Sequence, residues 1–426
     1  MKISAWGRYP YISSEQVQLD NSSLWSEPFI VNGNLRSYGD AALSRKHLNT
    51  LKYNKFLNFD YISGLLTCDA GILLSEVIEV FLPRGFFPLV VPGTKLITIG
   101  GALACDIHGK NHHSYGCFSN SVDSFKLLLP NNQILFCNRN INTEYFHATC
   151  GGMGLTGIIL EISFYLKKIN SKWINQKSIK NKNLIETFDS FEYYNQIPYS
   201  VAWIDCLARK KNLGRSILMV GDFCNDGDLS FKQPKKLNVP FNFPSFILNS
   251  FSVKLFNNFY YRKFPAGVSE NKVLYEDFFF PLDSIQNWNR IYGKNGFIQF
   301  QFILPKEVSF IGLESILNKI SNSQLGSFLA VLKLYGKSND NWLSFPIEGY
   351  SLALDFKMSS DLPNFIEKLT DEVIEFGGRI YLAKDALLKK EQFDISYEKG
   401  NEFREFRIKN QLHKYFSSLQ SQRIGI

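Results

Sequence analysis

Paired cysteines are missing from this sequence. None of Cys68, Cys105, Cys117, Cys137, Cys150, Cys206 and Cys224 stands in a C-x-x-C pair. The spacing of a zinc or iron–sulfur site is therefore absent, and an odd number of thiols points to a reducing, cytoplasmic setting. No apolar run is long enough to cross a bilayer. The opening MKISAWGRYPYISSEQ lacks an apolar core followed by a small-residue cleavage site, so no secretory leader is expected. Any membrane contact is then peripheral, made from the side at the inner membrane. The formal charge of +8 comes without the dense Lys/Arg clusters that duplex DNA demands. No nucleic-acid partner is expected; an anionic ligand or an anionic lipid surface suits this excess better.

What is abundant is aromatic. The chain carries 38 Phe and 20 Tyr in 426 residues, enough length for two or three domains. In the first part, GLLTCDAG reads as a strand. Leu73, Leu74, Val77, Ile78 and Phe81 then recur at helical spacing, with Gly85 as the stop. FFPLVVPG returns to a strand, and SVDSFKLLLPNNQILFCN reads as a hairpin turning at Pro130-Asn131-Asn132. The basic stretch KKINSKWINQKSIKNKN has no sustained apolar periodicity and marks a domain boundary. Beyond it, strand patterns such as FIQFQFILP and YSLALDF alternate with helical ones such as DLPNFIEKLTDEVIEFGG, an α+β arrangement with antiparallel strands. The expected domains are 1–171, 172–378, and a short segment 379–426 that packs back on the first.

Within the second domain, Phe231 to Phe264 holds Lys232, Lys235, Lys236, Lys254, Arg262 and Lys263, eight phenylalanines and no acidic residue. It reads either as a lid meeting an anionic lipid surface or as a Phe-rich core segment with a basic rim.

The stretch GGMGLTGIIL poses a sharper question, because Gly152, Gly154 and Gly157 fit G-x-G-x-x-G. A dinucleotide fold of the Rossmann type needs a helix after the glycines and an acidic residue about 20 positions on. Here Ile158, Leu160, Ile162, Phe164 and Leu166 alternate with Ile159, Glu161, Ser163 and Tyr165. That is a strand, followed by lysines, so the Rossmann reading fails. Upstream, VPGTKLITIGGALACDIHGKNHH adds Gly93, Gly100, Gly101 and Gly109 beside His108, Lys110, His112 and His113. Exposed backbone amides with nearby cations make a pyrophosphate cradle. The histidines could be imagined as metal ligands, but the glycines argue against a helix there, no Asp/Glu/Cys cluster completes a set, and no metal is expected.

PGTKLITIGGALACDIHGKNHHSYGCFSNSVDSFKLLLPN and ATCGGMGLTGIILEISFYL together resemble the PCMH-type FAD-binding domain of the vanillyl-alcohol-oxidase superfamily. Within that superfamily the chain is most similar to the oxidases of polyprenylphosphoryl ribose, from LRSYGD to RIYLAKDALL. The resemblance implies FAD held in extended form between the two α+β halves of the first domain and facing the second. It implies cofactor contacts from Arg36, Ser37, Tyr38, Gly39 and Asp40, from Gly93, Thr94, Gly100, Gly101, Ala104, Asp106, His108, Gly109 and Asn111, and from Gly152, Gly154, Gly157 and Ile158. Many relatives link a histidine of the first loop to the flavin; here that stretch is Arg36-Ser37-Tyr38, which implies non-covalent FAD. It further implies Lys384, His108 and Gln301 as catalytic residues, with Lys333, Gln299, Tyr381 and Tyr38 contacting substrate. Removing a secondary hydroxyl's proton while a hydride leaves for the flavin calls for a basic group and nearby cations.

The implied reaction is oxidation of the 2-hydroxyl of polyprenylphosphoryl-β-D-ribose, the first half of an epimerisation that a separate NAD(P)H-dependent short-chain reductase completes. An aldonolactone or free-sugar oxidase is the alternative, and a carbohydrate- or lipid-binding protein with a degenerate flavin site a third. Two positions depart from the family pattern. The first loop has Asn32 and Leu35 where relatives carry arginine and glycine, and Ala353 stands where the mycobacterial enzyme has a cysteine.

Overall fold

The apolar alternation of Ile158–Lys168 makes it the spine of the first sheet. The computed structural model describes residues 1–19, 24–230, 237–244, 246–323, 325–327 and 329–426. In it, Ile158–Lys168 pairs antiparallel with Val122–Leu128 on one side and Leu65–Asp69 on the other. Ile134–Asn138 and Phe56–Asp60 extend the two edges, and Phe86–Pro88 pairs with the far end of the central strand. Leu74–Phe81 is the expected helix, closed by a 3-10 turn and by Gly85 in the left-handed conformation. A smaller parallel sheet of Glu15–Val17, Lys46–Asn49 and Ile30–Asn32 precedes this one in the chain.

The second sheet has eight antiparallel strands in the order Gly267–Leu274, Trp173–Asn181, Ser216–Phe223, Tyr199–Ile204, Ala330–Tyr335, Gly349–Lys357, Phe297–Pro305 and Arg379–Ile380. Its central strands Tyr199–Ile204, Phe297–Pro305 and Gly349–Lys357 are buried nearly throughout, while Gly267–Leu274 at the edge is largely exposed. Leu304 and Tyr350, on one face, meet the helices Ser309–Ser323 and Leu184–Tyr193 through Gly312 and Phe188. The other face looks towards the first sheet and carries the site. The architecture is α+β with antiparallel sheets, as expected.

The basic stretch 167–183 spans the junction of the two sheets: it ends one strand and supplies Trp173–Asn181, with residues 169–172 between. Its inward positions include Ser178 and Asn181, and Asn181 is satisfied by the Ser216 hydroxyl, so apolar alternation was absent from a buried strand. No helix carries both His108 and His112, in line with the glycines around them. Gly100 and Gly101 lie inside Ile99–Ala104, capped by Thr98 Oγ1 accepting from Gly101 N, and His112–Tyr115 forms one further turn.

The segment 379–426 contributes the helices Lys390–Ser396, Gly400–Lys409 and Leu419–Ile424. It meets the first domain at several points: Arg407 donates to the Leu155 carbonyl, and Phe29 bridges Phe416. Arg423 donates to Asp40 Oδ1 at 2.6 Å and to Asp385 Oδ2 at 2.9 Å. It thus joins the LRSYGD loop to the loop that bears Lys384. Gly39 lies so close to this second loop that a Cβ would overlap the Asp385 carbonyl, and Tyr38 N donates to the Ala383 carbonyl at 3.1 Å.

Candidate active site

Strand register builds the floor of the site. Gln299 pairs with Asp355, Gln301 with Ala353, and Lys333 with Ser351; Val331 pairs with Trp203, and Val201 with Met219. Side chains two apart in a strand share a face, so these residues form one surface. All of them except Asp355 line a cavity of about 620 Å3 between the two sheets. The floor is polar across the strands of Gln299, Gln301, Lys333 and Ser351. It becomes apolar towards Trp203 and Met219, where Tyr260 packs on Trp203, while Trp288 and Leu282 line the cavity in a cluster with Tyr38 and Phe297.

The opposite wall is backbone-rich. Asn32 to Tyr38, Val91 to Thr94, Leu96 to Thr98, Gly101, Ala104, Met153 and Gly154 face the same cavity. Leu35 and Met153 hold left-handed backbone conformations there, φ 50° and 52°. Such a conformation costs a non-glycine residue on the order of 1–2 kcal/mol, and Leu35 stands where relatives place glycine. Arg36 Nε, Ser37 Oγ and His108 Nδ1 are buried without a hydrogen-bond partner. A Cβ at Gly93 would meet nothing within 4 Å. Thr94 Oγ1 and Lys95 N both donate to Asp283, each at 2.8 Å, which fastens this wall to the second domain.

Three lysines converge on the polar end. Burial pulls Lys384 down to about 7, Lys333 pushes it further the same way, and Asp355 opposes both. Burial also lowers Lys333 to about 8, and lowers Lys110 to about 7 with Lys333 adding to the effect. Lys384 Nζ sits 3.8 Å from the centroid of the Tyr38 ring. Asp355 accepts from Gln299 Nε2 at 2.6 Å and from the Tyr292 hydroxyl at 3.1 Å; burial raises it to about 7. His108 Nε2 lies 3.1 Å from Gln301 Nε2, and burial together with Lys333, His112 and Lys384 holds the ring neutral. Its ring packs on Tyr335, Phe345 and Tyr381. The arrangement offers a neutralisable base, an uncharged imidazole and cations for an anion, all withdrawn from water.

The FAD binding domain family matches residues 26–138. Over 412 residues the chain is 35% identical to decaprenylphosphoryl-β-D-ribose oxidase of Mycolicibacterium smegmatis, which covers 93% of this chain and 89% of that protein. The chain belongs to the decaprenylphosphoryl-β-D-ribose oxidase family. A protein from the mprA 5′ region of Streptomyces coelicolor is 26% identical over 83% of this chain and 100% of its own length. A putative D-arabinono-1,4-lactone oxidase of Neurospora crassa is 26% identical over 37% of this chain and 28% of its own length.

As a member of this family the chain is an FAD-dependent oxidoreductase, and its residues fit the cofactor. The unpaired donors at Arg36 and Ser37 and the open approach at Gly93 lie where a pyrophosphate and ring system would be held. Lys384, His108, Gln301, Lys333, Gln299, Tyr381 and Tyr38 all reach the cavity, as do Arg36, Ser37, Gly93, Thr94, Gly101, Ala104 and Gly154.

Other residues assigned to the cofactor hold the walls instead. Asp40 is taken by Arg423, and Gly39 by the close approach to Asp385. Asp106 accepts from Ser119 N, Asn339, Asn341 and Ser344, tying down the 339–344 loop. Asn111 donates to the Leu89 carbonyl. Gly100, Gly109, Gly152 and Gly157 face Ala70, Val91, Ala148 and Leu127, and Ile158 is buried at the start of its strand. The family motif runs through both faces of each loop, and only one face can meet a ligand.

Sequence reading gave no role to Asp283, Asp355 or the apolar end around Trp203, and took Lys110 only as a cation beside the pyrophosphate cradle. A carboxylate inside an otherwise apolar strand, Asp355 in YSLALDF, was a usable signal, since an unpaired buried charge is rarely tolerated. Among the described residues no group of three His, Cys, Asp or Glu is placed to hold a metal.

Proposed function

We propose that this chain oxidises the 2-hydroxyl of a polyprenylphosphoryl-β-D-ribose to the 2-keto sugar, and that a separate NAD(P)H-dependent reductase completes the epimerisation. The observation that carries this reading is the graded floor: one cavity runs from the half-buried Lys110, Lys333 and Lys384 to an apolar wall. A sugar joined by phosphate to a prenyl chain has the same gradient of polarity. FAD, when bound, supplies the hydride acceptor for the hydrogen on the hydroxyl-bearing carbon. Lys384, unprotonated in a substantial fraction near neutral pH, takes the hydroxyl proton. His108 and Gln301 orient the oxygen, and the low-dielectric surroundings strengthen those contacts. The phosphate between sugar and prenyl chain is a diester, and its single negative charge favours the charged forms of Lys333 and Lys110 against burial. Trp203 and Met219 receive the first prenyl units and exclude water.

Arg36-Ser37-Tyr38 contains no histidine to link to the flavin, so FAD is non-covalent in this reading. With seven unpaired thiols, six of them buried, and no helix among the described residues long and apolar enough to cross a membrane, we place the enzyme in the cytoplasm at the inner membrane face.

The test has two steps. Acid precipitation of the yellow protein should release flavin into the supernatant; colour kept in the pellet would overturn the non-covalent assignment. Anaerobic mixing should then bleach the flavin with polyprenylphosphoryl ribose and leave it coloured with free ribose or an aldonolactone. Bleaching by the lactone alone would establish the other oxidase chemistry.

A further inference from the structure

The Ser250–Lys263 helix lies over the apolar end of the cavity and has an outer face unlike that of an ordinary surface helix. Its inner face is fixed. Val253 and Asn257 are buried, Asn257 Nδ2 donates to Asp205 Oδ1 at 2.7 Å, and the Tyr260 ring packs 4.7 Å from Trp203 while lining the cavity. The outer face carries Phe251, Leu255, Phe256 and Phe259, exposed by 75%, 47%, 46% and 65%. A helix turns 100° per residue, so Phe251, Leu255, Phe259, Arg262 and Lys263 fall on one side, with Lys254 and Phe256 at its two flanks. The helix has no acidic residue. Phe246 (75% exposed) and Ile247 (40%) extend the apolar surface on its N-terminal side. Lys232, Lys235 and Lys236, which the sequence joined to this segment, lie outside the described residues.

We propose that this helix is a membrane-docking element that seats on an anionic lipid surface and brings the apolar end of the cavity to it. Aromatic side chains enter the boundary between headgroups and acyl chains, while the three cations meet lipid phosphates; a helix buried on its inner side and aromatic-basic on its outer side matches that interface. An exposed apolar cluster of this kind marks a binding surface, and the exclusively positive charge within it selects an anionic occupant. The inference deepens the proposed function. Tyr260 is shared between helix and cavity wall, so a lipid-linked substrate passes from the bilayer to the apolar floor without crossing water.

Sedimentation with vesicles tests it, using the full chain loaded with flavin. The protein should pellet with phosphatidylcholine vesicles containing phosphatidylglycerol and stay in the supernatant with phosphatidylcholine alone. The double variant Phe251→Ser/Phe259→Ser should bind at least about tenfold more weakly, and Lys254→Ala/Arg262→Ala about fivefold more weakly per cation removed, with the loss smaller at high salt. Both variants should keep the wild-type melting temperature and flavin content, because the substituted side chains point away from the protein.

A wild-type protein that stays soluble with anionic vesicles at low salt overturns the proposal. So does equal vesicle binding by the Phe variant, or a patch consumed by self-association in size-exclusion chromatography. Bleaching by detergent-dispersed lipid-linked ribose separates the two readings. If it occurs without vesicle binding, the helix assignment falls alone; vesicle binding without bleaching removes the substrate assignment alone.

Discussion

Lys384 gives the proposed chemistry a numerical test. Burial, reinforced by Lys333, brings the ammonium to about 7. The unprotonated fraction is then about one tenth at pH 6, half at pH 7 and nine tenths at pH 8. A lysine acting as base works above its pKa and is lost as pH falls through it. Under anaerobic conditions with saturating substrate, the rate of flavin bleaching in a stopped-flow instrument should therefore rise about tenfold from pH 6 to pH 8 and then level off. Asp355 is the group that holds Lys384 up against burial. Asp355→Asn keeps one oxygen, enough for either Gln299 or Tyr292, which donate to different carboxylate oxygens, and removes the charge, so the lysine pKa falls further and the rising limb moves to lower pH. Lys384→Met should retain flavin and lose about 10²–10⁴ in the bleaching rate. Near-normal bleaching by the methionine variant, or an alkaline shift in the asparagine variant, would refute the reasoning.

The half-buried lysines also set how the flavin-free protein responds to pH. Lys110, Lys333 and Lys384 shed protons on folding at pH values between about 8 and 10, so the unfolded state binds more protons and stability rises with pH there. Each contributes up to about 1.4 kcal/mol per pH unit, and thermal melts across that range should show the rise, reduced by inorganic phosphate that recharges the site. Gly93→Ala should leave the melting temperature of the flavin-free protein unchanged while weakening flavin retention in dialysis, since the new methyl group meets only the cavity. Gly39→Ala collides with the Asp385 carbonyl and should displace the Lys384 loop, depressing bleaching while flavin remains bound. Arg423→Ala strands Asp40 and Asp385, both buried, at a cost of about 3 kcal/mol. Its melting temperature should drop, with partial rescue by lysine; an unchanged melt removes the clamp from the account.

Much of the fold was readable because it obeys simple periods. Alternation from Ile158 to Leu166 excluded a Rossmann arrangement, and helical spacing from Leu73 to Phe81 placed a helix where one stands. The sheet that carries the site was harder. Phe297–Pro305 is buried on both faces, so the alternation of Gln299 and Gln301 with Phe300 and Phe302 did not show which face looks into a cavity; family resemblance supplied Gln299, Gln301 and Lys333, and strand register explains them. Trp173–Asn181 hid because hydrogen-bonded serine and asparagine occupy inward positions. Asp40 and Asp106 brace their loops, and a loop motif does not reveal which side chains turn to the ligand and which turn back.

The Arg423 clamp also imposes an order in time. Asp40 waits for a partner 383 positions later in the chain, and Asp385 is satisfied by the same guanidinium. During synthesis the cofactor loop is among the first segments made and among the last to be secured. Until residue 423 has emerged, two buried carboxylates face each other across the Lys384 loop with no cation between them. The nascent first domain can form its sheets, but cofactor capture in a finished geometry belongs to the completed chain.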